Sequence, residues 1–282
     1  MAGTQEGVTF IVSRQDAASV NIGRNIMELG RWTREREEAG MRLFASGCFR
    51  LVEIGGIHIH QEHLDRTIGE SFGFRPSLIV FLSTHRSESN TPAATIHPVG
   101  NYGRAELGGA SRKIVRSRAA FMTGRLIQMK NEFADTRYGV TFEATHHGPY
   151  VDVPSLFAEI GSDETAWQDA EAAKRLARAL LEGRDSDGMT AIGIGGGHYC
   201  PRFAEIAVKR KINFSHFVPN HSLSLVDDTL ADEIVEKSDG AKCFVVHSSK
   251  KFEDELHSAE KLFRDRGLEV IEPSGLEPRK GI

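Results

Sequence analysis

Two short histidine-containing segments of the chain have the residue types of a catalytic site. Residues 145–149 read THHGP and residues 195–203 read GGGHYCPRF. Each segment follows an apolar, strand-like stretch, and open α/β sheets build their sites in the loops at the carboxyl ends of strands. Histidine can act there as a general acid or base, or as a metal ligand, near neutral pH. The two segments therefore predict an enzyme.

The second segment has the pattern of a strand, a glycine turn and a helix. The apolar run 189–194 gives way to three glycines, 195–197, which permit positive φ and close backbone approach. Pro201 suits the first turn of a helix. The free amides of that turn, together with Arg202, would face an anion or a carbonyl oxygen beside His198. The alternative is a plain strand-to-helix turn with a surface histidine. Neither a Walker loop nor a dinucleotide fingerprint is present, so no nucleotide cofactor is implied.

The first segment follows a strand with two unlike faces. In residues 138–145, apolar side chains alternate with threonine and glutamate, which is the period of a half-buried strand. Glu143 could orient His146 or His147, or share a metal with them. Adjacent histidines can also be ordinary surface or structural hydrogen-bonding residues, and that alternative stays open.

Histidines follow other predicted strands as well. His85 comes after the buried run 77–82, and His97 opens a glycine-rich loop that contains Asn101. His247 follows a further apolar run. We expect these histidines to meet at one edge of a single sheet. The histidines at positions 58, 60 and 63 lie in a polar, helix-like stretch and are expected to be solvated.

These motifs resemble the signature blocks of the archaeal and plant type of D-aminoacyl-tRNA deacylase. Besides 145–149 and 195–203, the resemblance includes VSRQDAASVNI at 12–22, GNYGRAELGG at 100–109, VPSLFAEIGS at 153–162, and Trp167. The blocks are specific, occur in order, and span about residues 10 to 225. Cys200 departs from the family pattern, where alanine is usual, so we do not interpret it as a nucleophile.

The resemblance implies hydrolysis of the ester between a D-amino acid and the terminal ribose of tRNA, with zinc as cofactor and a fold like that of peptidyl-tRNA hydrolases and phosphorylases. Without a metal, one histidine would be the general base and the glycine amides an oxyanion hole. The predicted catalytic residues are His146, His147, His198 and Glu143. The predicted substrate-binding residues are Gly195, Gly196, Gly197, Arg202, His85 and Asn101. The predicted zinc ligands are His146, His147, His198 and His97.

Strands and helices alternate along the 282 residues in the manner of an α/β protein. Strands are expected near 8–13, 77–83, 93–96, 138–145, 190–194 and 243–247, and helices near 164–182 and 255–266. We expect one domain over residues 1–282, with three layers: a mostly parallel or mixed sheet and helices on both faces. The family match is weaker over 238–282.

Composition limits the partners and the compartment. The net charge of -4 argues against indiscriminate nucleic-acid binding, and no DNA partner is expected, but a local basic patch suffices for tRNA. A predicted helix carrying Arg112, Lys113, Arg116, Arg118, Arg125 and Lys130 is a candidate for the acceptor stem, although charged helix faces are common. Three scattered cysteines and the lack of an apolar span or leader predict a cytoplasmic protein away from membranes.

Two other function classes fit the residues. One is a different hydrolase of the same fold, such as a metal-dependent amidase or peptidase, or a nucleoside phosphorylase. The other is a non-catalytic RNA- or metal-binding protein. The sequence does not indicate which D-amino acids are accepted, how L-aminoacyl-tRNA is excluded, or how many chains assemble.

Overall fold

Strands alternate with helices along most of the chain. The structure, a computed structural model, describes residues 7–87 and 90–279. The strands are β1 (Val8–Ser13), β2 (Thr33–Glu38), β3 (Met41–Ser46), β4 (Phe49–Ile54), β5 (Leu78–Arg86), β6 (Ala93–Pro98), β7 (Gly100–Asn101), β8 (Lys113–Ile114), β9 (Gly139–Phe142), β10 (Ser155–Ser162), β11 (Met189–Gly195), β12 (Ile212–Val218), β13 (Cys243–His247) and β14 (Glu269–Val270). The α-helices are α1 (Ala17–Leu29), α2 (Leu64–Phe72), α3 (Ala119–Glu132), α4 (Glu164–Gln168), α5 (Ala170–Glu182), α6 (Pro201–Lys209), α7 (Asp228–Lys237) and α8 (Glu253–Asp265). Short 3₁₀ turns occupy His58–His60, Asn220–Leu225, Lys250–Phe252 and Pro273–Gly275.

A large mixed sheet has the strand order β2-β3-β4-β1-β5-β10-β6-β9. Its centre is parallel, because β1 pairs in parallel with β4 and β5, and β5 pairs in parallel with β10. Strands β6 and β9 are parallel to each other, but β6 is antiparallel to β10. A smaller parallel sheet has the order β12-β11-β13-β14, and β7 pairs with β8.

Helices cover both faces of the sheets, which confirms the predicted α/β layering. One face of the large sheet packs on α1, α3 and α5 in a hydrophobic cluster that also includes residues of α6 and β12. The opposite face packs on α2 and on the segments around Val115 and Val151. Helices α7 and α8 cover the outer face of the small sheet. The single-domain organisation stays a prediction.

Acidic residues cap several of the helices. The Asp16 carboxylate accepts the Ser19 amide at 2.8 Å and begins α1. The predicted helix 164–182 is divided at Asp169, which ends α4 and caps α5 by accepting the Ala172 amide at 3.0 Å. In α5 the buried alanines and leucines, including Leu176 and Leu180, face the sheet, as their helical spacing predicts.

Three predictions are wrong. Residues 112–118 are not helical: Lys113–Ile114 is a strand, α3 begins only at Ala119, and Arg125 is buried. The histidine-bearing strands do not end at one edge, because β6 and β9 run opposite to β5 and β10. His58 is 1% exposed instead of solvated. The sequence patterns also missed β2–β4, β10 and β12.

Among the described residues, no helix is long and apolar enough to cross a membrane.

Phe157 on β10 supports the sheet face that carries the histidines. Its side chain is fully buried, and its ring stacks on Phe81 with centroids 4.9 Å apart and on His97 with centroids 5.2 Å apart. We expect Phe157→Ala to lower the free energy of unfolding by about 3–5 kcal/mol, because it leaves a cavity in a packed core. Denaturant titration checks this against Phe72→Ala at a partly exposed site, and an equal loss in both variants would contradict it.

Candidate functional site

One face of the large sheet changes from apolar to polar along its strands. On β5 the side chains of Phe81, Ser83 and His85 follow one another on that face, and on β10 Phe157 is followed by Glu159, since alternate residues of a strand share a face. The parallel register of β6 and β9 ends with Ile96 opposite Phe142, and His97 and Glu143 are the next residues along the two strands. The strands that run in opposite directions thus bring their polar residues together over the sheet.

Glu143 is the centre of this cluster. Its side chain is fully buried, and imidazole nitrogens from three segments surround it. Its Oε2 lies 2.9 Å from Nε2 of His198 and 3.6 Å from Nε2 of His146, and its Oε1 lies 3.1 Å from Nδ1 of His85. Burial alone would raise the pKa of this carboxyl, but His198 and His85 hold it well below its usual value. Glu143 is therefore a buried carboxylate.

Glu159 is a second buried carboxylate beside the first. Its Oε2 lies 3.4 Å from Nδ1 of His85, and its Oε1 lies 3.6 Å from Nε2 of His97. Burial opposes a charge on His85, but Glu143 and Glu159 outweigh it and raise its pKa to about 11. The pKa of His97 is also raised, since the carboxylates overcome the effect of burial. The two carboxylates thus favour the protonated forms of His85 and His97 when no cation is bound beside them.

The other histidines of the cluster have their tautomers fixed by the backbone. Nδ1 of His146 donates to the Ala144 carbonyl at 2.7 Å, Nδ1 of His147 to the Gly148 carbonyl at 2.9 Å, and Nδ1 of His97 lies 3.1 Å from the Pro98 carbonyl. Burial and the neighbouring imidazoles lower the pKa of His146, and of His147 to about 4. Donation from Nδ1 leaves the lone pair on Nε2, as in metal-ligating histidines.

The loop that carries His146 and His147 is held by close backbone packing. The Gly148 amide donates to the Leu107 carbonyl at 3.1 Å, and a Cβ added at Gly148 would lie 2.0 Å from the Gly109 nitrogen. The Glu62 carboxylate accepts the Gly109 amide at 2.6 Å and so fixes the partner loop. Only glycine fits at position 148, which explains the THHG spacing.

The second histidine segment continues the sheet beyond β9. The Ala144 amide donates to the His198 carbonyl at 2.8 Å, and the Cys200 amide donates to the Phe142 carbonyl at 2.9 Å. This backbone pairing places the half-exposed His198 side chain against Glu143. As predicted, Pro201 begins a helix, α6. Burial and, as the smaller cause, the charge of Glu143 raise the pKa of the Cys200 thiol. This thiol is therefore not poised as a nucleophile.

Several predicted substrate-binding residues do not line the cavity that opens over the histidine–glutamate cluster. The Gly196 amide donates to Oδ1 of Asn220 at 3.2 Å, so it is not free as an oxyanion donor. Asn101 donates to the Gly108 carbonyl at 3.0 Å and thereby shapes the loop around Leu107. Arg202 is exposed in the first turn of α6. Substrate binding by these residues and by Gly195 and Gly197 stays a prediction.

A cavity of about 610 Å³ opens over the cluster. His85, His146, His147, His198 and Glu159 form its polar wall. The remaining lining residues are Gln15, Asp16, Ala17, Ile57, His58, Ile59, Ser83, Thr84, Arg86, Leu107 and Trp167. The volume is within the range of small-molecule sites.

Sequence reasoning missed Glu159 and the pair of His58 and Asp16. Glu159 alternates with Phe157 in a run that has strand period, a signal that could have revealed it. Nε2 of His58 lies 2.9 Å from the Leu82 carbonyl and 3.6 Å from Oδ2 of Asp16. No local pattern connects these residues, because they come from different segments.

Three overlapping groups in the cluster could hold a metal ion. They are His97, His146 and His147; Glu143, His146 and His198; and His85, Glu143 and Glu159. Both oxygens of Glu143 and Nε2 of His97 are buried without a directed hydrogen bond. Buried acceptors of this kind fit a cation, and a set of imidazole nitrogens suits zinc, copper, iron or nickel.

Comparison with known proteins gives consistent results. The family model described as D-aminoacyl-tRNA deacylase matches residues 72–271. A protein of Methanosarcina mazei named D-aminoacyl-tRNA deacylase is 36% identical over 98% of this chain and 95% of its own length. One of Picrophilus torridus with the same name is 32% identical over 84% of this chain and 88% of its own. The crystal structure of a conserved protein of unknown function, AF0625, has the same fold, with a TM-score of 0.87 at 24% identity over 98% of this chain and 99% of its own.

Removing an imidazole from the three-histidine group should weaken metal binding. Loss of an outer-shell partner lowers metal affinity by roughly 10- to 100-fold. If His147 is a direct ligand, we expect His147→Ala to lower the affinity for divalent zinc by at least this factor. Competition with a chromophoric chelator measures this. His257→Ala, at an exposed histidine of α8, is the control, and equal affinity in both variants would place the metal elsewhere.

Proposed function

Since the chain belongs to the D-aminoacyl-tRNA deacylase family, we propose that its histidine–glutamate cluster is the site where water cleaves the ester of D-aminoacyl-tRNA. The enzyme is a hydrolase, and its products are free D-amino acid and intact tRNA. The observation that carries the assignment of the site is the fully buried Glu143, which is surrounded by three imidazoles from distant segments, and these imidazoles line the 610 Å³ cavity. Perturbed, mutually paired titratable groups in a cavity are typical of catalytic sites.

We assign zinc binding to His97, His146 and His147. Catalytic zinc takes three protein ligands, and the Nδ1 atoms of these three histidines lie beside backbone carbonyls, so their Nε2 atoms are the ones left to bind a metal. When bound, zinc supplies Lewis-acid polarisation in the ester hydrolysis. Nε2 of His97 is buried without a hydrogen bond, which supports its inclusion in this set.

His198 is the general base in this proposal. Its Nε2 lies 2.9 Å from Oε2 of Glu143, and nearly half of the side chain is exposed. In the reactive neutral ring the proton is on Nε2, facing this carboxylate, and the lone pair is on Nδ1. Nδ1 takes a proton from the attacking water as the water oxygen bonds to the ester carbon. When the tetrahedral intermediate collapses, the same nitrogen returns the proton to the departing ribose oxygen. Glu143 orients the ring and stabilises its cationic form, and His85 holds Glu143 in place.

The cavity has room for the aminoacyl end of the substrate. Ile57, Ile59 and Leu107 form an apolar part of its wall, and Leu107 is 58% exposed at its mouth. An amino-acid side chain can pack there while the ester lies over the histidines. Because tRNA is the substrate, we propose that the enzyme acts in the cytoplasm.

The acceptor-stem role considered for Arg112 and Arg116 lacks support. The Arg112 guanidinium lies 2.7 Å from the Asp227 carboxylate, and that of Arg116 lies 2.7 Å from the Glu236 carboxylate. Their charges are therefore compensated by α7 and its amino-terminal cap.

Chirality and metal dependence can be tested together. We expect release of D-tyrosine and not of L-tyrosine from matched charged tRNAs, loss of this activity with a strong chelator, and recovery with zinc. Product release measured by chromatography gives the result. Equal inactivity on both substrates, with folded protein, would favour a non-catalytic RNA- or metal-binding protein. Cleavage of peptides or nucleosides instead would favour a different hydrolase or a phosphorylase.

The assignment of His198 predicts a separation of activity from metal binding. We expect His198→Ala to lower kcat by about 100-fold or more, the loss that follows removal of a general base, while zinc affinity stays near that of the wild type. Single-turnover kinetics and chelator competition measure the two, with His257→Ala as control. Loss of zinc in His198→Ala would instead make this residue a ligand, together with Glu143 and His146.

A further inference from the structure

Arg86 is an exposed cation that follows His85 at the end of β5. Its guanidinium lies over the ring of Trp167, 4.5 Å from the ring centroid. The Trp167 ring is itself fixed, because its Nε1 donates to the His85 carbonyl at 2.9 Å and only 8% of the residue is exposed. Within residues 7–87 and 90–279, no carboxylate forms an ion pair with Arg86. The charge is thus held in a defined place and available to a ligand.

Arg86 and Trp167 lie where two concave surfaces meet. Both residues line the 610 Å³ cavity over the histidines, and both also line a neighbouring groove of about 440 Å³. Ser162, Asp163 and Glu164 also line this groove, and Ser162 pairs with Arg86 in the register of β10 and β5. An anion is favoured beside the guanidinium at the junction and disfavoured beside the two carboxylates of the groove.

We propose that Arg86 binds the phosphate on the 5′ oxygen of the terminal nucleotide of the tRNA, and that the neighbouring groove receives the nucleoside that precedes it. This inference rests on the proposed function. With the ester over the histidine cluster, that phosphate is the first anionic group along the chain. A guanidinium stacked on an aromatic ring binds phosphate through a planar fork of donors. In the groove, the carboxylates of Asp163 and Glu164 can accept from ribose hydroxyls or from the exocyclic amine of cytosine.

Recognition of the nucleic acid and chemistry at the ester can be measured separately. The test compares D-aminoacyl-tRNA with the D-aminoacyl ester of adenosine, which has the ester and the base but no phosphate. We expect Arg86→Ala to lower kcat/KM for the tRNA by about 10- to 100-fold, the size of one charge-assisted hydrogen-bond contact, and to leave that for the adenosine ester unchanged. Arg86→Lys, which keeps the charge without the fork, should give an intermediate loss.

Salt dependence gives a second readout. Removal of one phosphate contact to a single strand should reduce the slope of log affinity for uncharged tRNA against log salt by about 0.7. Arg264→Ala is the matched control, because the Arg264 guanidinium also lies over an aromatic ring, that of Phe244 at 5.8 Å, and lines neither the cavity nor the groove. We expect this variant to behave as the wild type on every substrate.

The possible outcomes are distinct. An equal loss on both esters would show that Arg86 acts at the ester and would overturn the inference, as would unchanged kinetics on tRNA. If the wild type hydrolyses neither ester, the proposed function fails, and the binding of uncharged tRNA still decides the role of Arg86. In that case, affinity and salt slope unchanged by Arg86→Ala would refute the phosphate contact.

Discussion

The charge balance around Glu143 and Glu159 is the constraint on which the rest of the site depends. A carboxylate moved from water into an apolar environment is strongly destabilised unless it is paired and hydrogen-bonded. Here two such groups share one sheet face, and His85 contacts both of them, at 3.1 Å and 3.4 Å. The pKa values of His85 and His97 are therefore raised by the charges that they compensate. A cation bound in the cluster would take over part of that compensation.

The mixed strand order makes this arrangement possible. In an all-parallel sheet the residues that follow the strands would share one edge. Because β6 is antiparallel to β10, His97 arrives over the sheet from the opposite direction to His85, and Glu159 lies between them. The aromatic layer of Phe81 and Phe157 below gives the polar residues a rigid base. The cluster thus lies directly on a buried aromatic layer of the sheet.

Local patterns in the sequence predicted the parts of this site better than their assembly. The strand period of 138–145, the apolar run before His85 and the proline that begins α6 each correspond to observed elements, since they depend on near neighbours. The direction of β6 depends on pairing with a strand about sixty residues later, so no local pattern indicates it. Glu159 was not recognised because β10 was not predicted, and His58 was expected in solvent because its contacts with Leu82 and Asp16 are long-range. The charged run 112–118 was interpreted as helix because its pairing with acidic residues of α7 and its cap lies more than a hundred residues away.

The pairing of the His198 segment with β9 has a consequence for solubility. An unpaired edge strand exposes a row of amide and carbonyl groups that can template aggregation. At one edge of the large sheet, β2 reads TREREE and is fully exposed, so its charges discourage such pairing. At the other edge, β9 reads GVTF and has no charge, and the hydrogen bonds between Phe142 and Cys200 and between Ala144 and His198 continue its pairing. The segment that brings His198 to the cavity also closes this edge, so a change that loosens the segment would expose unpaired backbone groups of β9 as well as displace His198.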